Sequence, residues 1–180
     1  MRSIALRLVF VLSLWGGAVL AAPAPQGKEV SPVTVYARTD APKVVKSYPA
    51  AGQVLSAGVL VLSVTFDQSM MKSSFNVGPT AGGEMPSCLK TPRLLDDSRT
   101  FVFLCTTQPN KAYALSFNDT PEGGFENVSE HRAAPSTLAF TTTDANGPNT
   151  LREAMKAAGL RPIDMPIQEA PDRRGDKTGR

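Results

Sequence analysis

Apolar residues along this chain fall into short alternating runs separated by turn formers, after one longer run at the start that only Ser13, Gly16 and Gly17 interrupt. Leu60, Leu62, Val64 and Phe66 share one face of a segment at 58–66. Tyr113, Leu115 and Phe117 do the same at 112–118, and Leu138 and Phe140 at 136–142. Segments at 44–48, 74–77 (around Phe75), 88–94 and 100–106 bring the set to about seven predicted strands, spaced roughly 8–12 residues apart. Period-two alternation buries one face of a strand and wets the other, which is the habit of antiparallel sheets. A single sheet would leave its apolar face in water, so two must pack together. The pattern therefore predicts an all-β antiparallel sandwich over 44–144. Pro49-Ala50-Ala51-Gly52 reads as a turn after the first strand, and Asp96-Asp97-Ser98-Arg99 as the turn of a hairpin.

The ends read differently. Arg2 and Arg7 precede the apolar run Leu8 to Leu20, and Val19 and Ala21 supply small residues before a cleavage point. Residues 1–21 thus form a predicted signal peptide cut after Ala21, with an apolar run too short for a comfortable membrane span of roughly 20 residues. We expect the mature chain to be periplasmic or extracellular and not an integral membrane protein. Residues 22–43 hold Pro23, Pro25, Gly27, Pro32 and Pro42 and read as an extended linker, with a short strand possible at 33–36. In the stretch 145–180, Thr150-Leu151-Arg152-Glu153 has the form of a capping box, and Gly159 and Pro162 mark a stop. That predicts a helix at 151–158, too short to persist alone. It must dock on the sandwich, meet a partner or flicker. After Arg161 the polar, Pro-containing chain is expected to be disordered.

The chain's 180 residues carry 19 Lys and Arg against 16 Asp and Glu, with a pI near 9.0. That invites a nucleic-acid reading, but the position of the charge removes it. Arg2 and Arg7 leave with the leader, and the stretch from Leu151 carries seven of the other basic residues. Residues 22–150 hold ten basic and eleven acidic groups, and no Lys and Arg cluster is interleaved with aromatics. We expect no nucleic-acid partner.

The order of signals resembles a known family. Val44-Val45-Lys46-Ser47-Tyr48-Pro49-Ala50-Ala51-Gly52 leads to Leu62-Ser63-Val64-Thr65-Phe66-Asp67-Gln68-Ser69-Met70. Pro92, Asp96-Asp97-Ser98-Arg99-Thr100-Phe101, Pro109, Tyr113, Asn118 and Ala139-Phe140-Thr141-Thr142 follow. Together these resemble the bacterial Ig-like domains of the SbsA type, found in exported and cell-surface proteins. The resemblance covers 44–142 and implies an Ig-like sandwich. The shared residues are turn and core positions and imply no chemistry. Two positions depart from the family pattern, Thr107 where a core Leu is usual and Leu94 where an indole is usual. The core beside this hairpin is therefore expected to be looser or differently packed.

Few residues offer chemistry. Cys88 and Cys105 flank the hairpin in a chain bound for an oxidising compartment. Pairing Leu94 with Phe101 leaves the cysteines diagonal unless a bulge or a tighter turn shifts the register, yet a Cys88–Cys105 disulfide is the expected outcome. His131 is the single histidine, in a loop, and no Gly-x-Ser-x-Gly or other nucleophile–base arrangement accompanies it. No catalytic residue, metal ligand or cofactor site is assigned, and we expect no enzyme activity. Asp67, Asp96, Asp97 and Asp119 lack calcium-loop spacing and read as turn-capping carboxylates. Asn118-Asp119-Thr120 and Asn127-Val128-Ser129 match the glycosylation pattern, which carries no meaning in a bacterial host. Met70, Met71 and Met85, with the Pro-x-x-Gly turn, also resemble periplasmic copper carriers of the CopC type, again β-sandwiches. Those carriers are expected to place a His at the mature N-terminus, where this chain has Ala22-Pro23-Ala24. Met70 reads as core and Met71 as surface. The leading expectation is a non-catalytic exported module binding an unknown protein or cell-envelope component, with loops 78–86 and 120–135 as its contact surface. A copper-carrier-like sandwich is the alternative.

Overall fold

The computed structural model describes residues 40–121 and 123–167. The leader at 1–21, the linker residues 22–39 and the tail from 168 lie outside the described residues. The elements run β1 (Val44–Tyr48), β2 (Val54–Ala57), β3 (Val59–Phe66), β4 (Val77–Pro79), β5 (Ser87–Cys88), β6 (Arg93–Leu94), β7 (Thr100–Thr106), β8 (Ala112–Phe117), β9 (Ser136–Asn146) and α1 (Leu151–Ala157). One sheet has the order β1-β3-β7-β5, with β6 also on the free side of β7. The other has the order β2-β9-β8-β4. The expected all-β sandwich is therefore present, and the alternating faces meet inside it. Leu60, Leu62, Val64 and Phe66 of β3 are buried with Phe101, Phe103 and Cys105 of β7, Tyr113, Leu115 and Phe117 of β8, and Leu138 and Phe140 of β9.

Among the described residues there are nine strands instead of seven, and one pair is not antiparallel. β2 runs parallel to β9, with Val54 opposite Thr141 and Leu55 opposite Thr142. Its four residues follow the first turn too closely to stand out as a run, and only Leu55 packs on the core. β9 extends past the expected end at 142 to Asn146 because β2 supplies partners there. The segment expected at 74–77 pairs only from Val77, opposite Phe117, while Asn76 accepts from the Asn118 N–H at the end of the ladder. The segment expected at 88–94 is two strands, separated by Leu89-Lys90-Thr91-Pro92. Proline has no ladder N–H to give, so the run breaks there.

The solvated face expected on β3 and β7 is in fact covered. Val61 and Val102 point away from the sandwich interior and form a second apolar cluster with Leu95, Ala154 and Met155. The short helix therefore docks on the sandwich. Burying a side chain such as Met155 stabilises the docked state by roughly 2 kcal/mol, enough to hold a helix of two turns. Its start follows the capping-box reading with one change. The Thr150 hydroxyl accepts from the Glu153 N–H at 3.3 Å, but the Glu153 carboxylate reaches back to the Asn149 N–H at 2.9 Å. Ala158 is the C-cap and Gly159 follows with φ of +68°, the left-handed backbone that glycine tolerates best.

The expectation of disorder after Arg161 is corrected as far as Ile167. Pro162–Asp164 form a 3-10 turn. The Arg161 guanidinium donates to both Asp164 oxygens at 2.9 and 3.0 Å, and the Arg161 N–H donates to Asp164 at 3.0 Å. Arg93 Nη1 donates at 2.8 Å to the carbonyls of both Ile163 and Met165. An arginine 70 residues upstream fixes this segment, so local composition could not reveal it. The Arg161 side chain is the main cause that holds the Asp164 carboxyl below its ordinary value of 3.8, against the opposing effect of burial. A lowered folded pKa means that the carboxylate stabilises docking above the ordinary value, and that this is lost as pH falls through the lowered one. We expect the protection of the amides in 161–167, relative to their intrinsic exchange, to fall on acidification below about 4, and Asp164→Asn to lower it at every pH. Hydrogen exchange followed across an acid series checks both.

Candidate interaction surfaces

The disulfide is formed. Cys88 and Cys105 are bonded at an S–S distance of 2.03 Å and lie directly opposite each other in the β5–β7 ladder. The diagonal offset drawn from the hairpin is corrected by the break at residues 89–92. Leu94 does face Phe101 and Arg93 faces Val102, but two residues of slack inserted before Pro92 bring Cys88 onto Cys105. Thr107, the polar departure beside this strand, bonds Gly58 instead of filling the core: its hydroxyl lies 3.0 Å from the Gly58 N–H and 3.1 Å from its carbonyl. These polar bonds join the β2–β3 junction to the β7–β8 turn. The bridge closes a separation of 17 residues, worth roughly 3 kcal/mol in the chain-entropy account. Replacing both cysteines by Ala should lower unfolding stability by about 3 kcal/mol, read from denaturant midpoints of the oxidised parent and the variant.

Of the two loops expected to form a contact surface, 78–86 is laid along β8. The Thr80 N–H donates to the Ala114 carbonyl at 3.0 Å and the Ala114 N–H to the Glu84 carbonyl at 2.9 Å. Lys111 and Glu84 add an exposed ion pair at 3.0 Å, and Met85 packs against the core. This segment seals a sheet edge and does not project.

The second loop, expected at 120–135, is held in its described residues by an anchor just before it, Asn118. Asn118 is buried with φ of +59°, a left-handed conformation that asparagine adopts more readily than most residues. Its amide oxygen accepts from the Phe125 N–H at 2.7 Å, and its amide nitrogen donates to the carbonyls of Phe125 and Ala133, each at 3.0 Å. Gly124, at φ +120°, passes so close to the Asn118 side chain that a Cβ there would collide with it. Phe125 is thereby driven into the main core. Asn127 organises the loop tip. Its oxygen accepts from the N–H groups of Ser129 and His131 at 3.0 and 2.8 Å, and its nitrogen donates to Gln68 at 2.8 Å. Arg132 ties the other side, bonding the carbonyls of Pro121, Thr120 and Asn118. Val128, 41% exposed, and Glu130 stand out from this frame. The asparagines of both glycosylation patterns are these two buried anchors, so neither side chain is available to a transferase in the folded state.

The remaining candidates separate. Asp67 accepts from the Lys43 N–H at 2.9 Å, and Asp119 from the Ser116 hydroxyl at 2.5 Å. Asp97 caps the hairpin, accepting from the N–H groups of Arg99 and Thr100 and from the Thr100 hydroxyl. Burial opposes ionisation of Asp97, but these bonds outweigh it and hold its carboxyl below the usual value. Asp97 is a turn-capping carboxylate as read; Asp67 instead ties the residue before β1 to the end of β3, Asp119 takes a side-chain hydroxyl, and Asp96 lies 3.6 Å from Arg93 in an ion pair. Met70 is core and Met71 is half-exposed. Among the described residues, no three His, Cys, Asp or Glu side chains gather to hold a metal. Among them too, no helix is long and apolar enough to cross a membrane.

Two concave sites were not visible in the sequence. One, about 540 Å³, opens where β1, β2 and α1 meet, lined by Tyr48, Leu55, Ser56, Thr107, Asn149 and Glu153. Burial pushes the Tyr48 hydroxyl above its usual pKa there. The other, about 560 Å³, lies between α1 and the 3-10 turn. Met155, Leu160, Pro162 and Met165 line it, and Arg152 and Lys156 form its rim. Arg93 helps hold the 163–165 backbone that forms one wall, a contact that no local pattern announces.

Neither a protein-family model nor a curated protein matches the chain. Among solved structures, the crystal structure of CopC from Methylosinus trichosporium OB3b is similar, at 12% identity and a TM-score of 0.40. That match covers 57% of this chain and 93% of that one. A likeness of this size carries no argument about function.

Proposed function

We propose that this chain is an exported, non-catalytic Ig-like module of the SbsA type. It binds a protein or cell-envelope component through the tip of the 118–135 loop. The observation that carries this reading is the pair of buried asparagines: they bond the backbone and side chains around them and so present Val128 and Glu130 on a rigid support. Side chains displayed by a pre-ordered loop lose little entropy on binding, which is the usual arrangement of binding loops on rigid scaffolds. A bonded Cys88–Cys105 pair suits an oxidising compartment. The leader at 1–21, with cleavage after Ala21, supplies the route.

A pull-down from envelope extracts tests the reading. The full chain should retain a partner that Val128→Asp combined with Glu130→Lys loses, with no change in unfolding midpoint. Retention of every partner by that variant overturns the loop as the site. Copper titration tests the carrier alternative. We expect no saturable uptake, and a saturable site abolished by His131→Ala overturns the binding-module reading.

A further inference from the structure

We propose that the groove between α1 and the 3-10 turn is a second docking site, and that its occupant is a short acidic, apolar peptide segment of a partner protein. The inference rests on the binding-module reading only in requiring that the chain has a protein partner. Its floor is soft and apolar. Met155, Leu160, Pro162 and Met165 enclose about 560 Å³, and Ile163 stands beside them 60% exposed. Methionine side chains are flexible and polarisable, so such a floor moulds to varied apolar side chains. A groove of this volume falls within the range of sites that enclose a few side chains.

The rim decides the chemistry of the occupant. Arg152 and Lys156 lie four residues apart, on one side of α1, and both are exposed. The ion pairs among the described residues are Arg93–Asp96, Lys111–Glu84 and Arg161–Asp164, so among these residues neither rim cation has an acidic partner. The one acid of the helix, Glu153, is engaged with the Asn149 N–H at its start. Arg161 is already neutralised by Asp164. An apolar trough with two uncompensated cations complements carboxylates flanking apolar side chains. A membrane surface fits less well, because attraction to anionic lipid takes clusters of roughly four to eight basic residues, and two are present here. The trough is also bounded on both sides by chain, which suits a strand or turn of peptide better than a bilayer.

The experiment uses the full chain and two short synthetic peptides, one alternating Leu with Glu and the other alternating Leu with Lys. Phosphatidylglycerol vesicles form a third arm. We expect the acidic peptide to bind and to shift the methyl resonances of Met155 and Met165. The Lys peptide should not bind, and Arg152→Glu with Lys156→Glu should weaken the acidic peptide at least about tenfold through unpaired like charge. That variant's unfolding midpoint should match the parent, since both side chains are exposed. Equal binding of the two peptides, or undiminished binding by the charge-reversed variant, overturns the proposal. So does vesicle binding without peptide binding. Self-association of the chain that the same variant abolishes would make the occupant a second copy, and overturns it as well. An envelope partner lost by the Val128→Asp, Glu130→Lys variant but retained by the charge-reversed groove overturns the groove alone and leaves the binding-module reading standing.

Discussion

Replacing Phe125 by Ala should destabilise the sandwich by about 4 kcal/mol, as large as the loss of any core aromatic. Phe125 is contributed by a loop, yet it has no solvent exposure. Its ring lies 5.1 Å from that of Phe66, 4.9 Å from Phe101 and 6.1 Å from Phe117, mostly at tilted or edge-on angles. It therefore closes the core between β3 and β7 on one side and β8 on the other. The backbone on either side is fixed by Asn118, so little collapse into the vacated space is available, and the cavity cost stays near the upper part of its range. Denaturant unfolding should show a lowered midpoint with an unchanged slope. A loss under about 1 kcal/mol would mean that the loop can be withdrawn without opening the core.

How legible this was in the sequence follows from what each contact spans. β1 and β7 match their expected bounds at 44–48 and 100–106, and the inward faces of β3, β8 and β9 were read correctly from their alternation. Those are properties of a strand and its own side chains. The contacts that were missed join distant positions. Phe125 stands between Gly124 and Glu126 with no alternating neighbours, so nothing local marks it as core. β2 depends on β9 for pairing, and the 161–167 segment depends on Arg93. The disulfide was expected on grounds of compartment, whereas the register that allows it came from a break at Pro92 that simple hairpin counting does not contain. The groove was invisible for the same reason: its two walls come from segments whose placement is set by the outer face of β3 and β7. Asp97 is legible as a cap because it bonds its own neighbours, whereas the partner of Asp67, Lys43, lies 24 residues away.

Asn118→Ala should cost about 4 kcal/mol, and should remove binding by the loop tip along with stability. Three effects add. The Phe125 N–H loses its acceptor and the Ala133 carbonyl loses its donor, both in a buried position, at roughly 1–3 kcal/mol each. The Phe125 carbonyl keeps the Ala133 N–H at 2.8 Å and so is only partly affected. Alanine also tolerates φ of +59° less well than asparagine, which adds about 1 kcal/mol. Asn118→Gly separates these contributions: glycine accepts the backbone conformation without strain, so the part of the loss that remains belongs to the hydrogen bonds. Asn118→Asp gives a sharper test. A carboxylate can still accept from Phe125, but it faces two carbonyl oxygens in place of donating to them, so its folded pKa must rise. A group with a raised folded pKa of this kind favours the folded state when protonated, and the stability it contributes falls as pH climbs past the ordinary carboxyl value of about 3.9. The Asp variant should therefore be as unstable as the Ala variant at neutral pH and should recover part of the difference on acidification. The opposite dependence on pH, or a loss by Ala no larger than that of an exposed site, would show that the loop is held by Phe125 packing alone and that the buried amide is incidental.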